Sequence, residues 1–191
     1  MAETPSTMIP LGTKAPEFHL LDTQSGKYVS LNENKSDIAT VIMFICNHCP
    51  YVKYIRSKLL EVANLYQAKG IHFIAINSNN AEAYPEDSPE KMKEEAKKHQ
   101  FPFPYLYDET QAVAKAYYAA CTPDFYIFDR ELRCVYRGRF DDATPGNRHP
   151  VTGSDLTQAL DNILASKTVP IHQQPSLGCN IKWKTKECVH S

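Results

Sequence analysis

From Val41 to Ile45, five apolar residues follow one another without alternation, and β-branched or aromatic types dominate. That pattern predicts a strand buried on both faces. Past Pro50, apolar residues recur at Val52, Ile55, Leu59, Val62, Ala63 and Tyr66, the spacing of one buried helical stripe. Pro50 suits the first turn of that helix, where its missing N–H would have had no partner. Lys69-Gly70 acts as the C-cap, and Ile71 to Asn77 predicts a second buried strand. Strand, helix, strand implies parallel pairing through a right-handed crossover.

The flanking stretches extend this unit. Glu17 to Leu31 reads as two short strands around a Ser25-Gly26 turn, a hairpin. After a polar stretch at 78–88, Ser88 caps and Pro89 opens a surface helix to His99 that turns Met92 and Ala96 inward. Tyr105 to Tyr107 predicts a short strand, and Asp108 with Gln111 a capping box for a helix through Tyr118. Phe125 to Phe128 and Arg133 to Phe140 predict an antiparallel pair, followed by an amphipathic helix with Leu156, Leu160, Ile163 and Leu164 on one face. The expected class is α/β, a mixed central sheet flanked by helices. Residues 1–9 read as a flexible leader, 10–166 as one domain and 167–191 as a C-terminal tail.

Bulk composition narrows the function. A chain of 191 residues can bury one good core, whereas dividing it would leave two marginal ones. With 21 basic and 22 acidic residues and no basic run, neither nucleic acid nor a membrane surface is an expected partner. No apolar run approaches the roughly 18 residues of a membrane span, and the first ten residues lack the pattern of a signal peptide. A cytoplasmic location is expected. Six cysteines at uneven spacings do not make a disulfide scaffold, and in a reducing compartment a C-x-x-C is redox-active or metal-binding.

Cys46 and Cys49 fall between the carboxyl end of the central strand and the amino end of a helix. Free backbone N–H groups and the helix dipole there favour a thiolate, the attacking form of cysteine. His48 is either a cation that lowers a thiol pKa or a donor to a backbone carbonyl of the loop. Cys121 is either packing or a partner of Cys49 in a mixed disulfide, Cys134 a small buried hydrophobe, and Cys188 exposed near the chain end. A zinc set of Cys46, Cys49, His48 and a tail cysteine suffers from poor tetrahedral geometry, because His48 and Cys49 are adjacent. No metal or cofactor is expected.

C-N-H-C-P-Y-V at 46–52, together with Thr122-Pro123 and G-C-N-I-K-W at 178–183, resembles the thioredoxin superfamily, in its peroxiredoxin-like or redoxin (alkyl hydroperoxide reductase/thiol-specific antioxidant-like) branch. The likeness spans about 10–166. It implies a thioredoxin fold with an N-terminal hairpin and a C-terminal extension. It also implies a cis Pro123 facing the reactive sulfur, with Thr122 and Pro123 holding an extended substrate by its backbone. Counted from Phe44 and back from Tyr66, the family's nucleophile position falls on Cys49, with Val52 in place of its second cysteine. The reverse assignment, Cys46 attacking and Cys49 resolving, stays open. Cys179 reads either as a resolving thiol on a tail folded over the site or as part of a structural clasp.

The implied activity is thiol–disulfide exchange by thiolate attack and mixed disulfide, serving cell redox homeostasis. Its partners would be protein or small-molecule disulfides and a thiol reductant. A thiol-dependent peroxidase is the first alternative. Against it, Cys46 replaces the Thr of T-x-x-C-P and Pro123 stands roughly where the family has an arginine, leaving Arg137 or Arg139 to polarise a peroxide. A catalytically silent interaction module is the second.

Overall fold

The structure, a computed structural model, describes residues 3–185. The first strand is β1 (Glu3–Pro5), followed by the hairpin β2 (His19–Asp22) and β3 (Tyr28–Ser30) and a single turn α1 (Leu31–Asn34). Then come β4 (Ala39–Phe44), α2 (Pro50–Gln67), β5 (His72–Asn77), a 3-10 turn at Pro85–Asp87 and α3 (Pro89–His99). The chain continues through β6 (Tyr105–Tyr107), α4 (Ala112–Ala116), β7 (Cys121–Thr122), β8 (Asp124–Asp129) and β9 (Cys134–Gly138). It closes with α5 (Ser154–Leu164) and β10 (Leu177–Asn180).

Seven strands form one mixed sheet in the order β3-β2-β6-β5-β4-β8-β9. β4 pairs in parallel with β5 and antiparallel with β8, so the strand with no polar face lies well inside the sheet. Successive side chains of a strand point to opposite faces. Val41 and Met43 accordingly meet α2 through Val52, Ile55, Leu59 and Val62, and α5 through Leu156 and Leu160. Ile42 and Phe44 belong to a second core on the other face, with Leu31, Ala114, Tyr117 and Tyr126. Coverage on both faces is the physical reason for the unbroken apolar run.

Two expectations need correction. Residues of the leader and the tail form a second, three-stranded sheet in the order β1-β10-β7, so Glu3–Pro5 of the leader is a paired strand. The capping box is absent. Asp108 does cap α4, accepting from the N–H groups of Val113 and Ala114, but Gln111 has φ +63° and faces elsewhere. Its buried amide donates to the carbonyls of Ser78 and Lys182 and accepts from the Lys184 N–H. At its other end α4 stops at Ala116 rather than Tyr118, which takes a left-handed φ of 53°. Cys188 lies outside the described residues.

Asp124, at the head of β8, is fully buried; one carboxyl oxygen accepts from the Tyr126 hydroxyl at 3.0 Å, and the other has no partner among the described residues. Burial pushes its pKa from the ordinary 3.8 up to about 8 against the opposing Tyr126 bond. Between those two values the unfolded carboxyl ionises while the folded one keeps its proton, so this group withdraws stability as pH rises from about 4 to about 8. Asp124→Asn should flatten that decline. Thermal unfolding between pH 5 and 8 should show the variant gaining on the parent by at least about 1 kcal/mol at the upper end, and an unchanged pH slope would refute the assignment.

Candidate active site

The chain leaves β4 at its carboxyl end, makes a tight loop over 45–49 and enters α2 at Pro50. Cys49 is the N-cap residue of α2, extended at φ −66° and ψ 123°, and is completely buried. Its Sγ donates to the Thr122 carbonyl at 3.2 Å. Thr122-Pro123 is a cis peptide, as the resemblance implied. Cys46 lies across the loop, also buried, with its Sγ 3.5 Å from the Thr122 hydroxyl.

The two thiols titrate in opposite directions. The Cys46 side chain, as the strongest hydrogen-bond partner, lowers Cys49 from 9.0 to about 5, helped by Cys179, the Thr122 hydroxyl and the Val52 N–H and opposed by burial. Cys46 is raised well above the usual thiol value, first because its proton serves Cys49, then through burial and the negative charge of Asp87. The direction of both shifts favours the anion on Cys49 and the proton on Cys46. Its contact with the Thr122 carbonyl belongs to the thiol form; the anion has only donors to use.

His48 bonds a carboxylate rather than a backbone carbonyl of the loop. Its Nδ1 donates to Asp87 at 2.5 Å, and its ring stacks on Tyr84 with centroids 5.4 Å apart. The Asp87 bond raises the His48 pKa against the effect of burial. Asp87 is the residue that sequence reasoning missed. It is completely buried and accepts also from the Asn47 N–H at 2.7 Å, the Asn77 amide at 3.2 Å and the Asn79 amide at 2.9 Å. Burial pushes its pKa up, but His48, Asn79 and the Asn47 N–H outweigh it and hold the carboxylate below its ordinary range. The only sequence signal was an aspartate in the polar 78–88 stretch.

The remaining candidates separate. Cys179 is brought to the site: β10 pairs Cys179 with Thr122 across the small sheet, in the same buried cluster as Cys46 and Cys49. Burial, then Cys49, push its pKa up to about 12. Cys121 points its Sγ at the Pro123 carbonyl, 3.7 Å away, and burial raises its thiol far above the ordinary range. Cys134 is buried in β9 as expected, its thiol pushed by burial up to about 12. The backbone edge expected to hold an extended substrate beside Pro123 is taken by the chain's own β10.

Cys46, His48 and Asp87 place potential metal-ligating atoms within 4.8 Å of one another. The Asp87 carboxylate there is already surrounded by four donors, which suits a hydrogen-bonded anion. Arg137 binds the Ile9 carbonyl and Gln173, and Arg139 binds Asp155, so both arginines considered for a peroxide are engaged elsewhere.

Residues 11–137 match the AhpC/TSA family. Among solved structures, the chain is similar to an uncharacterized conserved protein from Geobacillus kaustophilus, at 60% identity and a TM-score of 0.95 over 96% of this chain and 97% of that one. A hypothetical protein from Sinorhizobium meliloti 1021 is 49% identical, with a TM-score of 0.92 over 95% and 99% of the two chains. The thioredoxin domain of a thiol-disulfide oxidoreductase from Bacteroides vulgatus is 18% identical with a TM-score of 0.60, over 79% of this chain and 98% of that one. That last likeness shows the thioredoxin fold. No curated protein gave a significant match.

Replacing Cys46 by Ala removes the strongest donor to Cys49, so the Cys49 pKa should rise by at least about one unit. Thiolate absorbance at 240 nm against pH measures it; an unmoved value near 5 would refute that role of Cys46. Asp87→Asn should lower the His48 pKa, which NMR titration of the imidazole would follow.

Proposed function

This chain belongs to the AhpC/TSA family, and we propose that it is a cytoplasmic thiol–disulfide oxidoreductase in which Cys49 attacks and Cys46 resolves. One observation carries the reading: a buried N-cap cysteine and a second buried thiol three residues before it both meet Thr122 beside the cis proline, with the first shifted toward the thiolate and the second away from it. That is the arrangement disulfide exchange requires, because the attacking sulfur must be a thiolate and the resolving sulfur must stay silent until it is needed.

In the forward step, the Cys49 thiolate attacks one sulfur of a substrate disulfide; a Cys49–substrate bond forms, and the other sulfur leaves as a thiolate and is protonated. Loss of the Cys49 anion removes the leading reason for the high Cys46 pKa. Cys46 then gives up its proton and attacks the Cys49 sulfur. The Cys46–Cys49 disulfide forms and the second substrate sulfur leaves as a thiol. An external thiol reductant, taking the oxidised pair back to the dithiol, completes the cycle. The substrates that fit are protein or small-molecule disulfides, and the compartment that fits is one that keeps a reductant supply.

Peroxide reduction is the second reading, favoured by the family. Attack on a peroxide gains from a cation on the leaving oxygen. Arg137 and Arg139 are both bound elsewhere, which supports exchange over peroxidase chemistry.

Cys49→Ser should abolish disulfide reduction, measured by insulin turbidity or with a small chromogenic disulfide. Full turnover in Cys49→Ser together with loss in Cys46→Ser would reverse the roles. Because a stabilised thiolate favours the reduced state, the Cys46–Cys49 couple should lie roughly 30–50 mV above thioredoxin's about −270 mV. A glutathione-buffer titration reads that potential. Hydrogen peroxide should be consumed slowly; rapid turnover through a Cys49 sulfenic acid would establish the peroxidase instead.

A further inference from the structure

The G-C-N-I-K-W segment brings a third thiol to Cys49. β10 is the middle strand of the small sheet, with Cys179 paired to Glu3 on one side and to Thr122 on the other. The approach to β7 is close enough that a Cβ on Gly178 would sit 2.0 Å from the Thr122 carbonyl oxygen, so only glycine fits there. Before Cys179, the Ser176 hydroxyl donates to the Pro123 carbonyl at 2.5 Å, and the Ser176 N–H donates to Ser6 Oγ at 2.8 Å. After it, the Lys182 N–H donates to the Asn79 side chain at 2.8 Å, and the Lys182 carbonyl accepts from the Asn80 N–H at 2.8 Å and from Gln111 at 2.9 Å.

A strand anchored on both flanks holds its central residue in a defined place. Cys179 is buried in the same core cluster as Cys46 and Cys49, and its register partner Thr122 is the residue whose carbonyl meets the Cys49 Sγ at 3.2 Å. Two thiols therefore face one nucleophile, Cys46 from the loop before α2 and Cys179 from the strand beside Pro123. The polar anchors of β10 run through Asn79, which also holds Asp87, so one network positions both thiols.

We propose that Cys179 is a second resolving cysteine of this site, able to form a Cys49–Cys179 disulfide alongside the Cys46–Cys49 disulfide. The proposal rests on the exchange chemistry above and adds to it. After Cys49 has formed a mixed disulfide, Cys179 loses its proton and attacks the Cys49 sulfur. The Cys49–Cys179 bond forms and the Cys49–substrate bond breaks, releasing the substrate sulfur as a thiol. Cys46 can then attack Cys49 in turn, forming the Cys46–Cys49 disulfide and returning Cys179 to a thiol. No oxidant beyond the substrate disulfide enters. Because β10 fills the backbone edge beside Pro123, a strand-like protein segment cannot add there while the strand is in place. The substrate class served in this state is a small disulfide such as that of glutathione.

The test uses the full chain with Cys46→Ser and, as a guard against loss of fold, Cys46→Ala. Each is treated with oxidised glutathione, quenched with acid and alkylated, and its disulfides are mapped by peptide mass spectrometry. The expected result is a Cys49–Cys179 disulfide with release of both glutathione sulfurs, and the disappearance of that product in Cys46→Ser/Cys179→Ser, which should stop at Cys49–glutathione. A stable Cys49–glutathione adduct in the Cys46 single variants, with Cys179 free, would overturn the role of Cys179 and leave the exchange function standing. An unreacted Cys49 in the parent and in every variant would overturn the exchange function and the present proposal together.

Discussion

A carboxylate sealed from solvent organises this site. Asp87 sits in a 3-10 turn after β5, and an isolated charge there would be expensive to bury. Donors from the cysteine loop (Asn47 and His48), the end of β5 (Asn77) and the loop after it (Asn79) satisfy it. Each donor is fixed in turn. Asn47 accepts from the Tyr105 hydroxyl of β6 at 2.9 Å, and Asn79 accepts from the Lys182 N–H beyond β10. Removing the carboxylate would leave several buried donors without a partner, so the loop, two strand ends and the tail stand or fall together.

Within that frame the sulfur chemistry follows from asymmetry. Cys49 is surrounded by donors and Cys46 faces an anion, so two thiols of equal intrinsic acidity shift in opposite directions, Cys49 down and Cys46 up. His48, the obvious cation of the motif, contributes mainly as a partner of Asp87. Its ring nitrogen, the Asp87 carboxylate and the Cys46 sulfur lie within 4.8 Å of one another.

The second sheet changes how the site meets its substrates. In a thioredoxin fold the backbone beside the cis proline is a natural edge, and unpaired edges invite strands. Here the chain covers that edge itself with β10, and β1 covers β10 in turn. The outcome is a Cys49 with no exposed surface and three thiols in one buried cluster.

Much was legible along the chain, because period and punctuation are local. The apolar run of β4, the stripe of α2, Pro50, and the Ser88-Pro89 start of α3 each set their element by short-range physics, and the order of elements then implied a mixed sheet with its cysteines at a strand's carboxyl end. The register argument for Cys49 needed the family pattern as well as the chain; Pro50 alone placed Cys49 at the start of α2, where it is the N-cap. What sequence could not supply was every relation between distant polar groups. Asp87 looks like any turn aspartate until four donors converge on it, and Gln111 looks like half of a capping box until Ser78 and Lys182 offer better partners. Leader and tail have no helical or alternating pattern, so their pairing rests on contacts between chain ends more than 170 residues apart. Hydrophobic periodicity reports which side of an element is buried; only the assembled fold decides which buried polar groups satisfy one another.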